Sequence, residues 1–298
     1  MNKPLLHSYY WLESAVVKNL GDYLTAIILD ALGYRCVNRN YAHPHVVNPG
    51  RCLLSVGSIP WNRTFDRMSE PVDVWGAGWR GTPLSPSARA RAQFHAVRGP
   101  RTAQGLGLSK NIPLGDPALL LPTLKADAVA HHGRTLVIPH FHRSDQIPAK
   151  QRCVLTGCDA LLAMRVIGAP VRGRRISPRR LHGMVYAWMR QGIPIHTPWQ
   201  VIHRIAGAGF VLTGSLHGAI LAQAYGVPWA AYDDGCVDVP EKWHDWADYL
   251  RMRIAFVPNL RAGMDWWYTE GQHGEIRDIA PLLAAFPYRK TEELFFDT

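Results

Sequence analysis

Lysine is scarce in this chain of 298 residues: its 33 basic residues are 26 Arg and only 7 Lys. Genomic base composition produces such a bias, and so does selection for arginine's planar fork, which grips phosphate and carboxylate at two points. Acidic residues are missing altogether from 74–115 and from 160–232, two stretches that hold 14 basic residues. The rest of the chain carries 19 basic and 23 acidic residues, so the formal +10 is concentrated in those two stretches. Such a distribution points to a local anion site rather than a basic surface for nucleic acid, and no RNP, KH or zinc-finger pattern occurs. Cysteines number five, an odd count that argues against a disulfide framework and fits a reducing compartment. Residues 1–7 lack the apolar run of a signal peptide, so a cytoplasmic protein is expected. No repeat period, Walker loop or Gly-x-Ser-x-Gly elbow is present, which sets aside solenoids, P-loop enzymes and serine hydrolases.

What the chain does have is apolar content of 47% with 11 Trp, enough to bury one large core or two ordinary ones. Short apolar runs alternate with helical stretches, the signature of α/β units on parallel sheets. Strands are expected at 5–11, 52–56, 72–75, 94–97 and 135–139, and a first helix at 22–32 with Leu24, Ile27, Ile28 and Ala31 on one face. Ser177-Pro178 and Thr197-Pro198 each read as N-cap followed by N1. The helices they start carry Leu181, Met184, Val185 and Trp188, then Val201, Ile202 and Ile205, as apolar faces. The uncharged stretch 210–232 is long enough for a membrane span, but Gly214, Gly218, Gly226 and Pro228 divide it. It reads instead as a strand at 210–213, a helix at 216–225 and a strand at 227–232. The expected architecture is two α/β halves, 1–130 and 131–298, facing across a cleft. The segment 242–250 and the tail cover the outside of that cleft or cross back over it.

Among the motifs, Gly76-Ala77-Gly78-Trp79-Arg80-Gly81 matches the dinucleotide fingerprint after a strand. No acid lies between Asp73 and Asp116 to hold a ribose, so the loop is read as admitting some other ligand. Thr213-Gly214-Ser215-Leu216-His217-Gly218 stands at a strand-to-helix junction, where free N–H groups and the helix dipole favour an anion. There His217 is either a general acid at a bound ligand or a core or capping histidine. Asn19-Leu20-Gly21-Asp22 opens the first helix, with Asp22 either a helix-start acid or a carboxylate for a substrate hydroxyl. Arg98 and Arg101 flank a Gly-Pro turn that either holds an anion or is solvated. His140 and His142 share one side of an extended segment, without the further ligands of a metal site.

Together these segments resemble the polysaccharide pyruvyl transferase family, and within it the exopolysaccharide ketal-forming, succinoglycan-type members. The elements that match, in order, are 19–22 with its helix, Val74-Trp75-Gly76-Ala77-Gly78, Val97-Arg98-Gly99-Pro100-Arg101-Thr102, Leu106-Gly107-Leu108, Gly115-Asp116-Pro117-Ala118-Leu119, Val137-Ile138-Pro139-His140, 211–218, Tyr225-Gly226-Val227-Pro228 and Lys242-Trp243-His244-Asp245-Trp246. They span roughly residues 15–250. The resemblance implies a GT-B-like pair of Rossmann-like domains that moves pyruvate from phosphoenolpyruvate (PEP) onto two sugar hydroxyls as a cyclic ketal, with no metal or other cofactor. His217 and Asp22 are then the catalytic residues. Arg98, Arg101, Ser215, Leu216, Gly214, Gly76, Gly78 and Arg80 lie on the donor side, with Asn19, Gly21, His140 and Lys242 as acceptor or supporting residues.

The chain departs from the family twice: Ser215 stands where members often have an arginine, and Gly99 where many have aspartate. Arg101 or Arg80 supplies the missing charge, or Ser215 bonds a phosphate oxygen. Acceptors in the family are lipid-linked saccharides at the cytoplasmic membrane face. The run Arg172, Arg174, Arg175, Arg179 and Arg180 either meets anionic headgroups there or is a solvated helix start. A GT-B glycosyltransferase using a nucleotide sugar is the alternative activity.

Overall fold

Parallel strands are covered on both faces and need short, nearly continuous apolar runs, which this sequence supplies in two groups. The computed structural model describes residues 3–12, 14, 16–39, 50–126, 129–144, 146–168 and 178–288. Its strands are β1 (Leu5–Ser8), β2 (Val17–Asn19), β3 (Arg35–Asn38), β4 (Cys52–Leu54), β5 (Val72–Trp75) and β6 (Ala92–Ala96), then β7 (Thr135–Ile138), β8 (Ala160–Leu161), β9 (Arg165–Ile167), β10 (Phe210–Thr213), β11 (Trp229–Tyr232) and β12 (Phe256–Val257). One parallel sheet has the order β3-β1-β4-β5-β6 and a second the order β12-β11-β10-β7-β8. The protein is therefore an α/β protein with two Rossmann-like parallel sheets.

A third, two-stranded ladder ties the halves of the chain together. β2 pairs antiparallel with β9, setting Val17 opposite Ile167 and Asn19 opposite Arg165. The helix Leu20–Ala31 starts directly from β2, so this ladder carries its N-terminus to the second half of the chain. The core follows the same path. Leu20, Leu24 and Ile28 of that helix, Leu119 and Leu121, Ile220 and Leu221 of the helix Leu216–Ala224, and Trp246 and Tyr249 belong to one buried cluster. At roughly 1.5–3 kcal/mol for each large apolar side chain removed from water, this shared core is a strong link between the halves. The C-terminal segment lies against the first sheet: Trp75 Nε1 donates to the Leu282 carbonyl at 2.7 Å, and Tyr288 Oη to Asp73 at 2.7 Å.

The strands expected at 5–11, 52–56, 135–139 and 227–232 are shorter than their apolar runs, those at 72–75 and 210–213 keep their bounds, and the one expected at 94–97 starts earlier as β6. β11 begins at Trp229 because Pro228 has no N–H for the ladder. β2, β3, β8, β9 and β12 have no clear apolar signature in the sequence. The helix Pro198–Ala206 starts with a full capping box from Thr197 and Gln200. Ser177 lies outside the described residues, as do the side chains of Leu181 and Met184 in the helix Pro178–Arg190, where Trp188 is buried. The stretch 210–232 folds as β10, helix and β11, and no helix among the described residues is long and apolar enough to cross a membrane.

Candidate active site

Two helix starts meet at the site. Thr213 Oγ1 accepts from the Ser215 N–H at 3.0 Å and donates to the Ser215 carbonyl at 2.9 Å, fixing the turn out of β10. Ser215 is the N-cap of the helix Leu216–Ala224, but its hydroxyl makes no capping bond and lines the cavity instead. His217 is the second residue of that helix. Opposite it, Asn19 is the N-cap of the helix Leu20–Ala31, and its side chain does not cap either; Asn19 Nδ2 donates to Asp22 Oδ2 at 2.7 Å. Gly21 allows the two helix starts to touch, because a Cβ there would stand 2.5 Å from His217 Nδ1. Burial pushes the Asp22 carboxyl above its ordinary range, an effect partly offset first by His217, then by Asn19, Lys242 and Arg80.

Behind His217 lies a carboxylate to which the sequence assigns no role. Asp116, fully buried, accepts the Ala118 N–H on Oδ1 at 3.0 Å, and its Oδ2 stands 3.5 Å from His217 Nε2. Gly115-Asp116-Pro117 reads as an ordinary cap and first-turn proline, so the sequence gives no sign of the second oxygen's use.

Arg98 follows β6 and is buried. Its Nε donates to Asp245 Oδ2 at 3.2 Å and its Nη1 to Ser58 Oγ at 3.0 Å, while Nη2 is buried without a partner. Asp245 also accepts from the Thr102 N–H at 2.9 Å and the Thr102 hydroxyl at 2.7 Å. The guanidinium lies against Gly78, where any side chain would collide with it. A buried cation with one unused donor fork beside a cavity suits an anion.

A third wall comes from the turn before the helix Pro240–Leu250. Val239 holds φ at 49°, a left-handed conformation that costs a β-branched residue roughly 1–3 kcal/mol. This turn brings Asp238 and Lys242 together, Nζ to Oδ2 at 2.7 Å, with His140 Nε2 at 3.8 Å from the same carboxylate. Burial lowers the Lys242 pKa despite Asp238. Burial, followed by the Lys242 charge, also lowers His140. For Asp238 burial acts upward, but Lys242, His140 and Arg80 outweigh it and hold the carboxyl below its usual range.

These walls enclose a cavity of about 400 Å³, within the roughly 300–1,000 Å³ typical of small-molecule sites. Of the residues singled out from sequence, the cavity is lined by Asn19, Asp22, Arg80, Arg98, His140, His142, Ser215, Leu216, His217 and Lys242. Arg80 and Arg63 both stack on Trp61, at 5.0 and 5.6 Å, near Arg67 and Trp11, which the sequence reading also left out. Arg101 is elsewhere, exposed and paired with Asp248 at 2.7 Å. Gly21 lies against His217 Nδ1, and Gly78 against the Arg98 guanidinium. Gly76, with φ at 78°, is packed by Pro117, and Gly214 by the His140 backbone. Among the described residues no three His, Cys, Asp or Glu side chains are grouped to hold a metal ion. The basic run 172–175 lies outside the described residues, as do the side chains of Arg179 and Arg180.

An imidazole flanked by two carboxylates, facing a cavity rich in guanidinium groups, is equipped to move a proton on an anionic substrate. The succinoglycan biosynthesis protein ExoV of Rhizobium meliloti (strain 1021) is 26% identical over 246 residues, which cover 81% of this chain. The chain spans 64% of that protein's length. The polysaccharide pyruvyl transferase profile matches residues 19–234, well over half of the sequence. The chain belongs to the polysaccharide pyruvyl transferase family.

Proposed function

We propose that this protein transfers the pyruvyl unit of PEP to two hydroxyls of a sugar, forming a cyclic ketal in exopolysaccharide biosynthesis. The observation that carries the reading is that His217, from the second sheet's β10–helix junction, and Arg98, from the end of β6 in the first, line one cavity with Asp22. The two sheets then act as the halves of a GT-B-like enzyme with its substrates between them.

In this reading Arg98, Arg80 and Lys242 hold the phosphate and carboxylate of PEP, with Arg80 and the Ser215 hydroxyl taking the place of the arginine absent at 215. His217 delivers a proton to the methylene carbon, and C2 becomes cationic. A sugar hydroxyl attacks C2, and Asp22, whose raised pKa makes it a better base than a free aspartate, receives the hydroxyl proton. The C2–O bond to phosphate then breaks, and attack by the second hydroxyl closes the ring. Of the two hydroxyl protons, the balance places one in the new methyl group and the other on released phosphate. Holding the trianionic donor in line among fixed cations is where the rate enhancement arises. The acceptor is a lipid-linked or polymeric saccharide.

A thermal-melt series tests the donor assignment. PEP raises Tm by several degrees, nucleotide sugars and NADH do not, and Arg98→Ala removes the PEP shift. A shift from nucleotide sugars alone would replace PEP with a glycosyl donor.

A further inference from the structure

The imidazole of His217 has its two nitrogens in different surroundings. Nε2 is sealed from solvent and has no hydrogen bond, and Asp116 Oδ2, also buried and without one, stands 3.5 Å from it. The other ring nitrogen, Nδ1, lies beside Gly21, and the residue itself lines the cavity. Asp116 itself cannot turn freely, because its Oδ1 is held by the Ala118 N–H at 3.0 Å. Each of the two orphaned buried atoms is therefore the other's natural partner.

We infer that Asp116 is a positioning residue for His217: it keeps a proton on Nε2, and Nδ1 is the nitrogen that carries the reacting proton. This rests on the reading of His217 as the proton donor to PEP. In the imidazolium both nitrogens are protonated. The Nδ1 proton goes to the methylene carbon of PEP, the Nε2–H remains on Asp116, and the ring is left as the neutral Nε2–H tautomer. Nδ1 regains a proton from a sugar hydroxyl by way of Asp22, the carboxylate on the cavity side. A carboxylate behind the ring also stabilises the charged imidazolium and fixes its plane, as in other carboxylate–imidazole pairs.

The capping bond makes Asp116→Asn a directed test. The Ala118 N–H requires an acceptor, so the asparagine carbonyl takes that place and its NH₂ faces Nε2. Nε2 must then accept, and the ring is forced into the Nδ1–H tautomer. Side-chain 15N NMR of neutral His217 is expected to report Nε2–H in the wild type and Nδ1–H in Asp116→Asn. Turnover falls 10²–10⁴-fold with KM for PEP within about threefold. An Nδ1–H tautomer in the wild type overturns the inference without any variant, and so does an unchanged tautomer or unchanged turnover in Asp116→Asn. Full activity in His217→Ala would instead remove the proton-donor reading, while the tautomer measurement would still decide whether Asp116 holds the ring.

Discussion

Asp22 shows how individual residues at this site serve chemistry at some expense of stability. Its carboxyl is raised chiefly by burial, so the folded state holds a proton more tightly than the unfolded chain. Above the ordinary aspartate pKa the charged form is therefore a net cost to folding, and the cost grows until pH passes the folded pKa. Asp22→Asn removes that charge. Its Tm at pH 7 is expected to equal or exceed the wild type, while turnover falls by roughly 10²-fold or more, as for loss of a general base. The acidic limb of the rate profile, lying above the usual carboxylate range in the wild type, disappears. A clear loss of Tm with activity retained would reverse the assignment. His217, Asp22 and Arg98 were visible in the sequence because each stands at a helix start or turn with adjacent glycines. Asp116 and Asp245 were not, since their partners are distant in the chain; Asp245 meets Arg98 across 147 positions. Arg101 looked equivalent to Arg98 beside the same turn, yet its side chain leaves the cavity for Asp248.

Individual elements place these residues. β2 is three residues long with a lysine in its middle, so no apolar pattern announces it, yet its pairing with β9 brings Asn19, Gly21 and Asp22 to His217. The parallel strands β7 and β10 were legible because covered strands require nearly continuous apolar runs, and β5 keeps such a run apart from Asp73. The helix Pro240–Leu250 bridges the halves: Lys242 reaches the cavity, Asp245 holds Arg98, and Asp248 holds Arg101. The Arg98–Asp245 pair is almost wholly buried, so removing one partner strands the other charge. Asp245→Ala is expected to cost about 3–5 kcal/mol in denaturant unfolding and to abolish the PEP melt shift. A loss below about 1 kcal/mol would mean that Arg98 is held by something else. The exposed Arg101–Asp248 pair contributes little, and Arg101→Ala serves as the comparison.

At the scale of the whole molecule, the two acid-free stretches supply Arg80, Arg98, Ser215 and His217 to one cavity, although Arg63, Arg67 and Lys242 come from outside them. The chain also closes on itself through its C-terminal segment. Asp73 on β5 accepts from Tyr288, Arg51 and His95, each at 2.7 Å. Burial acts to raise its pKa, but these bonds prevail and bring it down to about 2. A depressed carboxyl stabilises the fold above the unfolded value and loses that contribution as pH falls toward the folded one. Asp73→Asn is expected to lose about 2 kcal/mol at pH 7 and to show a flatter decline between about pH 4 and 2. An unchanged acid profile would mean that this anchor is not what ties the tail to the first sheet. The central claim is the reaction itself, and the most direct measurement combines phosphate release from PEP with mass analysis of a saccharide acceptor. The wild type should add a pyruvyl unit as a ketal for each phosphate released, and folded His217→Ala should do neither. Near-normal phosphate release and ketal formation by His217→Ala would contradict the account.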